Sequence, residues 1–161
     1  MFFNFFNNDS DMNKILKYLL QDPTAVAKIK GGQSFPNIGG EVKFYQTPYG
    51  VVVLSEIKNL PKTQTNIFGF HIHEFGNCEN DFSSAGGHFN PQMSHHPNHA
   101  GDLPPLFSNE GYVLSAVLTS RFNVKSILGK SVIIHDNPDD FTTDPSGNSG
   151  KRIACGKIVE Y

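Results

Sequence analysis

Histidine carries the chemistry this 161-residue chain suggests: of its seven histidines, all but His135 lie between residues 71 and 99. A lone histidine is more often a solvated or hydrogen-bonded side chain than a ligand, but neutral imidazole is the commonest protein metal ligand and a cluster changes the odds. His71 and His73 sit in the strand-like run Gly69-Phe70-His71-Ile72-His73-Glu74. Residues two apart on a strand project from one face, so both imidazoles can reach a single metal ion while Phe70 and Ile72 turn into an apolar core. His88, His96, His99 and Asp102 offer a second set, three neutral nitrogens and one carboxylate. That set suits a closed, tetrahedral, structural zinc site with no position left for water. His95 adjoins His96 and is an alternative to it. His135 ends the apolar run 131–135, and Asp139, four residues on, can accept an N–H bond from a metal-bound ring and fix its orientation. Asp136 and Asp140 are alternatives for that role.

The elements that must position these side chains read as short strands. Runs of mixed or alternating apolarity, rich in β-branched and aromatic residues, recur at 25–29, 42–46, 51–57, 67–73, 112–118, 131–135 and 153–159, punctuated by Gly, Pro and Asn. The expected class is all-β. Thr47-Pro48-Tyr49-Gly50 predicts a tight hairpin turn. Residues 11–20 carry Met12, Ile15, Leu16, Leu19 and Leu20 at helical spacing, with Asp9, Ser10 or Asp11 able to cap the start. A short amphipathic helix is therefore expected ahead of the β domain. Two stretches, 77–109 and 136–150, do not read as strand, and loops of that length inside a compact domain are usually functional.

The length calls for one principal domain. Thirteen basic and fifteen acidic residues give a net charge of -2 without a basic block, which argues against a nucleic-acid partner. Apolar runs fall far short of the roughly 20 residues that cross a bilayer, so no membrane partner is expected. The amino-terminal residues are phenylalanine-rich but lack a basic segment and a small-residue cleavage site, so no signal peptide is read. A cytoplasmic location is favoured on that reading, with a secreted or cell-surface one open. Composition alone favours free thiols for Cys78 and Cys155, which are too far apart in sequence for a local C-x-x-C motif.

Four stretches, in this order, resemble the copper/zinc superoxide dismutase family. They are Gly69-Phe70-His71-Ile72-His73-Glu74-Phe75-Gly76, Ala85-Gly86-Gly87-His88-Phe89-Asn90-Pro91, His99-Ala100-Gly101-Asp102-Leu103 and Gly147-Asn148-Ser149-Gly150-Lys151-Arg152-Ile153-Ala154-Cys155-Gly156. The resemblance spans roughly residues 25–161 and is closest to bacterial members. It implies an eight-stranded Greek-key β-sandwich or flattened barrel with long metal-binding loops, preceded by an extension over 1–24. It assigns copper to His71, His73, His88 and His135, and zinc to His88, His96, His99 and Asp102, with His88 shared by both. It pairs Cys78 with Cys155, makes Asp139 the bridge between the ligand shells through His71 and His96, and makes Arg152 the cation that draws superoxide in.

The implied reaction is dismutation of superoxide to dioxygen and hydrogen peroxide, with His88 and Arg152 as the catalytic residues. The loop 136–150 lacks the glutamate and lysine cluster of the eukaryotic steering loop. Phe2, Phe3, Phe5 and Phe6 could cover a core edge or a neighbouring subunit, and subunit contacts differ among members, so a homodimer is one arrangement allowed. The competing reading is a non-enzymatic relative, a metal carrier or coat component, which would be expected to lack a copper ligand or the arginine.

Overall fold

The computed structural model describes residues 11–161. The expected capping by Asp9, Ser10 or Asp11 and the placement of Phe2, Phe3, Phe5 and Phe6 fall on side chains outside that description. The helix α1 spans Asp11–Leu19 and lies against the second strand, with Ile15 and Leu19 half-buried while Met12 and Leu16 of its apolar stripe stay exposed.

The strands are β1 (Ala25–Gly31), β2 (Gly39–Thr47), β3 (Gly50–Lys58), β4 (Ile67–Phe68), β5 (Phe70–His73), β6 (Leu106–Phe107), β7 (Val113–Thr119), β8 (Ser131–His135) and β9 (Arg152–Glu160). Seven of them form one antiparallel sheet in the order β5-β8-β9-β1-β2-β3-β7, and β4 pairs with β6. β4 and β5 are one run of chain interrupted at Gly69, so the architecture is the expected eight-stranded one with its fourth strand shared. Its first part pairs with β6 and its second with β8. Because β6 also approaches β7, this sharing curls the sheet towards closure. The hairpin at 47–50 forms as expected, with Thr47 opposite Gly50.

Period-two patterning explains the core. Val51, Val53 and Ile57 of β3 meet Val42 and Phe44 of β2, and Ala25, Ala27 and Ile29 of β1 join Ile158, Val132, Ile134 and Ile72 beneath them. Phe70 and Ile72 take the core side of β5, as expected, which leaves His71 and His73 on the other face. β5 and β8 are buried throughout because their outer face lies under the long loops rather than in solvent.

Two elements depart from the sequence reading. Leu106–Phe107 forms a strand inside the stretch expected to contain none, and Val124–Ile127 (α2) forms a single helical turn capped by Asn123, whose side chain accepts the Ser126 N–H. Both are shorter than a periodic pattern can reveal.

Cys78 and Cys155 are joined by a disulfide, overturning the free-thiol expectation from composition and bearing out the one from resemblance. The bridge spans 77 residues and packs with Phe82, Ala85 and Ile133, tying the loop before His88 to β9. Chain-entropy reasoning puts its worth at about 4–5 kcal/mol at most. Cys155→Ser is therefore expected to lower the melting temperature of the oxidised protein without removing a ligand, and an unchanged value by calorimetry would contradict that role.

Candidate metal centre

Among the described residues β5 is an edge strand, paired with β8 alone on its sheet side. The loop carrying His88, His99 and Asp102 supplies the missing partners. Ile72 N–H donates to the Gly101 carbonyl (2.9 Å), Phe89 N–H to the Ile72 carbonyl (2.8 Å) and Glu74 N–H to the Gly87 carbonyl (3.0 Å). His73 thereby stands opposite His88, and His71 opposite Asp102. The approach is close enough that a Cβ on Gly101 would lie 2.3 Å from the Ile72 carbonyl oxygen. His135 comes from the neighbouring strand. A register shift between Ile134 and His135 places Arg152 of β9 directly opposite it, the sort of irregularity that re-aims a side chain beside a site.

Two groups of side chains converge: His71, His73, His88 and His135, and His88, His96, His99 and Asp102. Within each group the ligand-type atoms lie within 4.8 Å of one another, and all the residues are buried. His88 belongs to both. Its Nδ1 is 2.7 Å from a carboxylate oxygen of Asp102, while the Nδ1 atoms of His96 and His99 each lie 3.2 Å from that carboxylate. In the first group the Nε2 atoms of His73 and His135 are 3.4 Å apart, and the His71 and His88 rings stack with centroids 4.0 Å apart.

The surrounding hydrogen bonds select which nitrogen of each ring faces inward. His73 Nδ1 donates to the Gly86 carbonyl (3.0 Å) and His135 Nδ1 to the Gly150 carbonyl, which leaves both Nε2 atoms as acceptors. Asp139 accepts His71 Nε2–H at 2.7 Å and His96 Nε2–H at 2.8 Å, leaving both Nδ1 atoms free. His71 Nδ1, His88 Nε2 and His96 Nδ1 are fully buried with no hydrogen-bond partner among the described residues. A buried polar atom without a partner is costly. Three of them aimed into two compact clusters fit bound cations.

Among the aspartates that sequence left open, Asp139 makes the bridge, whereas Asp136 accepts the Lys151 N–H and Asp140 accepts from Thr142, Thr143 and Asn148. His95 lies outside the cluster; its side chain is 92% exposed and bonds Asp144. Arg152 lies beside the first group, its charge felt by His73 and His135, and donates to the Phe82 and Gly86 carbonyls (2.5 and 2.6 Å), sharing the latter with His73. Spacing alone did not reveal Gly147, although it lies in one of the motifs. At φ +62° its Cβ would meet Asp139 Oδ1 at 2.1 Å and His96 Nε2 at 2.7 Å, so only glycine passes that bond. Asp144 and Arg121, which hold the segment around His96, carried no sequence signal at all.

Burial keeps the imidazoles of His73, His88 and His135 neutral. Burial pushes His88 down to about 4, helped by the nearby His71 and opposed by Asp102, and burial with His71 pushes His135 down to about 3. Burial, with His88, also drives His73 far below the usual range. Burial would raise Asp139, but hydrogen bonds from His71, the Phe141 N–H and His96 hold it at about 2. Burial likewise opposes ionisation of Asp102 and is the largest single influence on it, but the hydrogen bond from His88 together with the charges of His88, His99 and His96 holds the carboxyl below its usual range.

The unfolded chain, with histidines near 6.5, binds more protons than the folded one once the pH drops below that value. Stability of the metal-free protein is therefore complete above about pH 6.5 and lost towards pH 4, by about 2–4 kcal/mol between pH 7.5 and 5 from His88 and His135. Urea midpoints at those two pH values check this; equal midpoints would contradict it.

The family model described as copper/zinc superoxide dismutase matches residues 38–158. A relative named Superoxide dismutase [Cu-Zn] 1, from Aquifex aeolicus (strain VF5), is 40% identical over 135 residues, covering 74% of this chain and 79% of its own. Superoxide dismutase [Cu-Zn] from Legionella pneumophila is 36% identical over 127 residues, covering 74% and 76%. The crystal structure of the clock protein EA4 superposes with a TM-score of 0.73 at 28% identity, covering 88% of this chain and 97% of that one. With the family match, these two relatives and two clusters of buried ligands in one curled β-sheet, the chain belongs to the copper/zinc superoxide dismutase family.

Proposed function

We propose that this chain dismutes superoxide at a copper held by His71, His73, His88 and His135, beside a zinc held by His88, His96, His99 and Asp102. The observation that carries the reading is the position of His88, with Nδ1 beside Asp102 and a partnerless, buried Nε2 facing the other group. Copper supplies one-electron redox chemistry in a nitrogen-rich field, and zinc a fixed positive charge. The match over residues 38–158 and the strand start at Ala25 support a catalytic domain over 25–161 with an extension over 1–24.

Two superoxide ions and two protons yield one dioxygen and one hydrogen peroxide, so the site must deliver protons as well as electrons. His88 is the residue able to do so. Burial keeps the metal-free ring neutral at pH 7, and its buried, partnerless Nε2 can hold one of the two protons in one half-reaction and give it up in the next, the second proton coming from solvent. Asp139 keeps the His71 and His96 rings from turning.

Arg152 binds and guides the anion. Burial lowers its pKa, yet a guanidinium stays charged at neutral pH. Its bonds to two backbone carbonyls hold that charge at the mouth formed with Lys151, Phe82 and Gly32.

Arg152→Ala is expected to slow superoxide consumption about tenfold and to flatten its dependence on ionic strength, because screening acts on the charge that was removed. Stopped-flow assays across a salt series test this; an unchanged rate and slope would refute the assignment. A non-enzymatic relative would be expected to lack a copper ligand or the arginine, and this chain keeps His71, His73, His88, His135 and Arg152.

A further inference from the structure

The segment 96–99 contributes two nitrogens to the second cluster, yet lies in a loop outside every strand. Contacts from two other loops fix where it runs. Asp144 accepts the His96 backbone N–H at Oδ1 (2.7 Å), and its Oδ2 lies 2.7 Å from His95 Nδ1. Five residues earlier in the same loop, Asp139 takes the ring of His96, so one loop holds both the backbone and the side chain of that residue. From the other side Arg121, between β7 and α2, donates Nη1 to the carbonyls of Pro97 (2.7 Å) and His99 (3.0 Å).

We propose that Asp144 and Arg121 are positioning residues of the zinc site. An anion at the N–H of the segment and a cation at its carbonyls pin the main chain, so that His96 and His99 present Nδ1 towards Asp102 and His88. The inference rests on reading His96 and His99 as zinc ligands. Neither positioning residue touches a ligating atom. The Asp144 side chain is 51% exposed and that of His95 92%, so their ion pair is a surface one of small worth, and the backbone bond is the contact that matters. An asparagine oxygen can accept the same N–H, so Asn at 144 preserves the function and Ala does not.

The test uses the full chain, loaded with copper and zinc and mixed with excess chromophoric chelator, following zinc transfer alongside the melting temperature of the metal-free protein. Asp144→Ala is expected to release zinc about 10–100-fold faster, as loss of supporting contacts around a metal site does, with the metal-free melting temperature unchanged. Asp144→Asn is expected to release zinc close to the wild-type rate, and His95→Ala to match wild type. Arg121→Gln is expected to give the same zinc-selective loss from a different loop, and decides the matter if Asp144→Ala fails to fold. Wild-type release from both Asp144→Ala and Arg121→Gln overturns the proposal, as does a His95→Ala variant that reproduces the loss. His96→Ala separates the two layers. If it keeps zinc, the ligand reading itself fails; if it loses zinc while Asp144→Ala and Arg121→Gln keep it, only the positioning role fails.

Discussion

His135→Ala is expected to abolish dismutation, by at least about 100-fold, while the protein remains folded and keeps zinc. His135 contributes only to the first cluster; its Nε2 sits 3.4 Å from that of His73, and Asp102 and the rings of His96 and His99 belong to the second. Removing it takes one of four nitrogens from the copper group and leaves the zinc group whole. The strand survives because β8 is held on both sides, by β5 and β9, and by Val132 and Ile134 in the core. The cavity left by the imidazole costs about 1–3 kcal/mol, within what a domain tolerates. Superoxide consumption, with circular dichroism and zinc content on the same sample, decides it. Retained turnover would remove His135 from the copper site.

Asp139→Asn is expected to loosen both groups at once, because one carboxylate orients a ring in each. Asp139 accepts N–H bonds from His71, His96 and the Phe141 backbone. An amide has a single acceptor oxygen, and its NH2 would face the Nε2–H of the other ring, donor against donor. That ring relieves the conflict by moving its proton to Nδ1, the nitrogen the metal needs. Zinc affinity is expected to fall about 10–100-fold, with activity falling as metal is lost. Gly147 leaves no room for adjustment, since the loop already passes within contact of the Asp139–His96 bond. Competition against a zinc chelator, with the metal content of copper- and zinc-loaded samples, measures the effect. An Asn variant with wild-type zinc affinity would show that the bridge does not orient the rings.

How far the fold and site were legible depends on the reach of each signal. Alternation along 51–57 and 131–135 is a period-two pattern imposed by one buried face, and those strands appear where it placed them. His71 and His73 share a face for the same reason. Leu106–Phe107 and Val124–Ile127 are too short to carry a period; pairing with Ile67–Phe68 and an Asn123 cap make them. Sequence placed His96 in the ligand set but kept His95 as an alternative, because loop conformation, not spacing, decides which ring turns inward. Spacing named Asp139 with Asp136 and Asp140 as alternatives, and only the resemblance singled it out; the 136–150 loop shows why, since it closes around Asp140 and brings Asp139 to two rings drawn from distant parts of the chain. The disulfide was illegible from composition, because sheet topology alone brings Cys78 to β9.

Metal content and turnover, measured on one sample of purified protein after loading with copper and zinc, test the central claim most directly. Two buried clusters sharing His88 predict about one copper and one zinc per chain together with rapid superoxide consumption. Zinc alone, or both metals without turnover, would contradict the account and leave the chain a metal-binding relative of the enzymes it resembles.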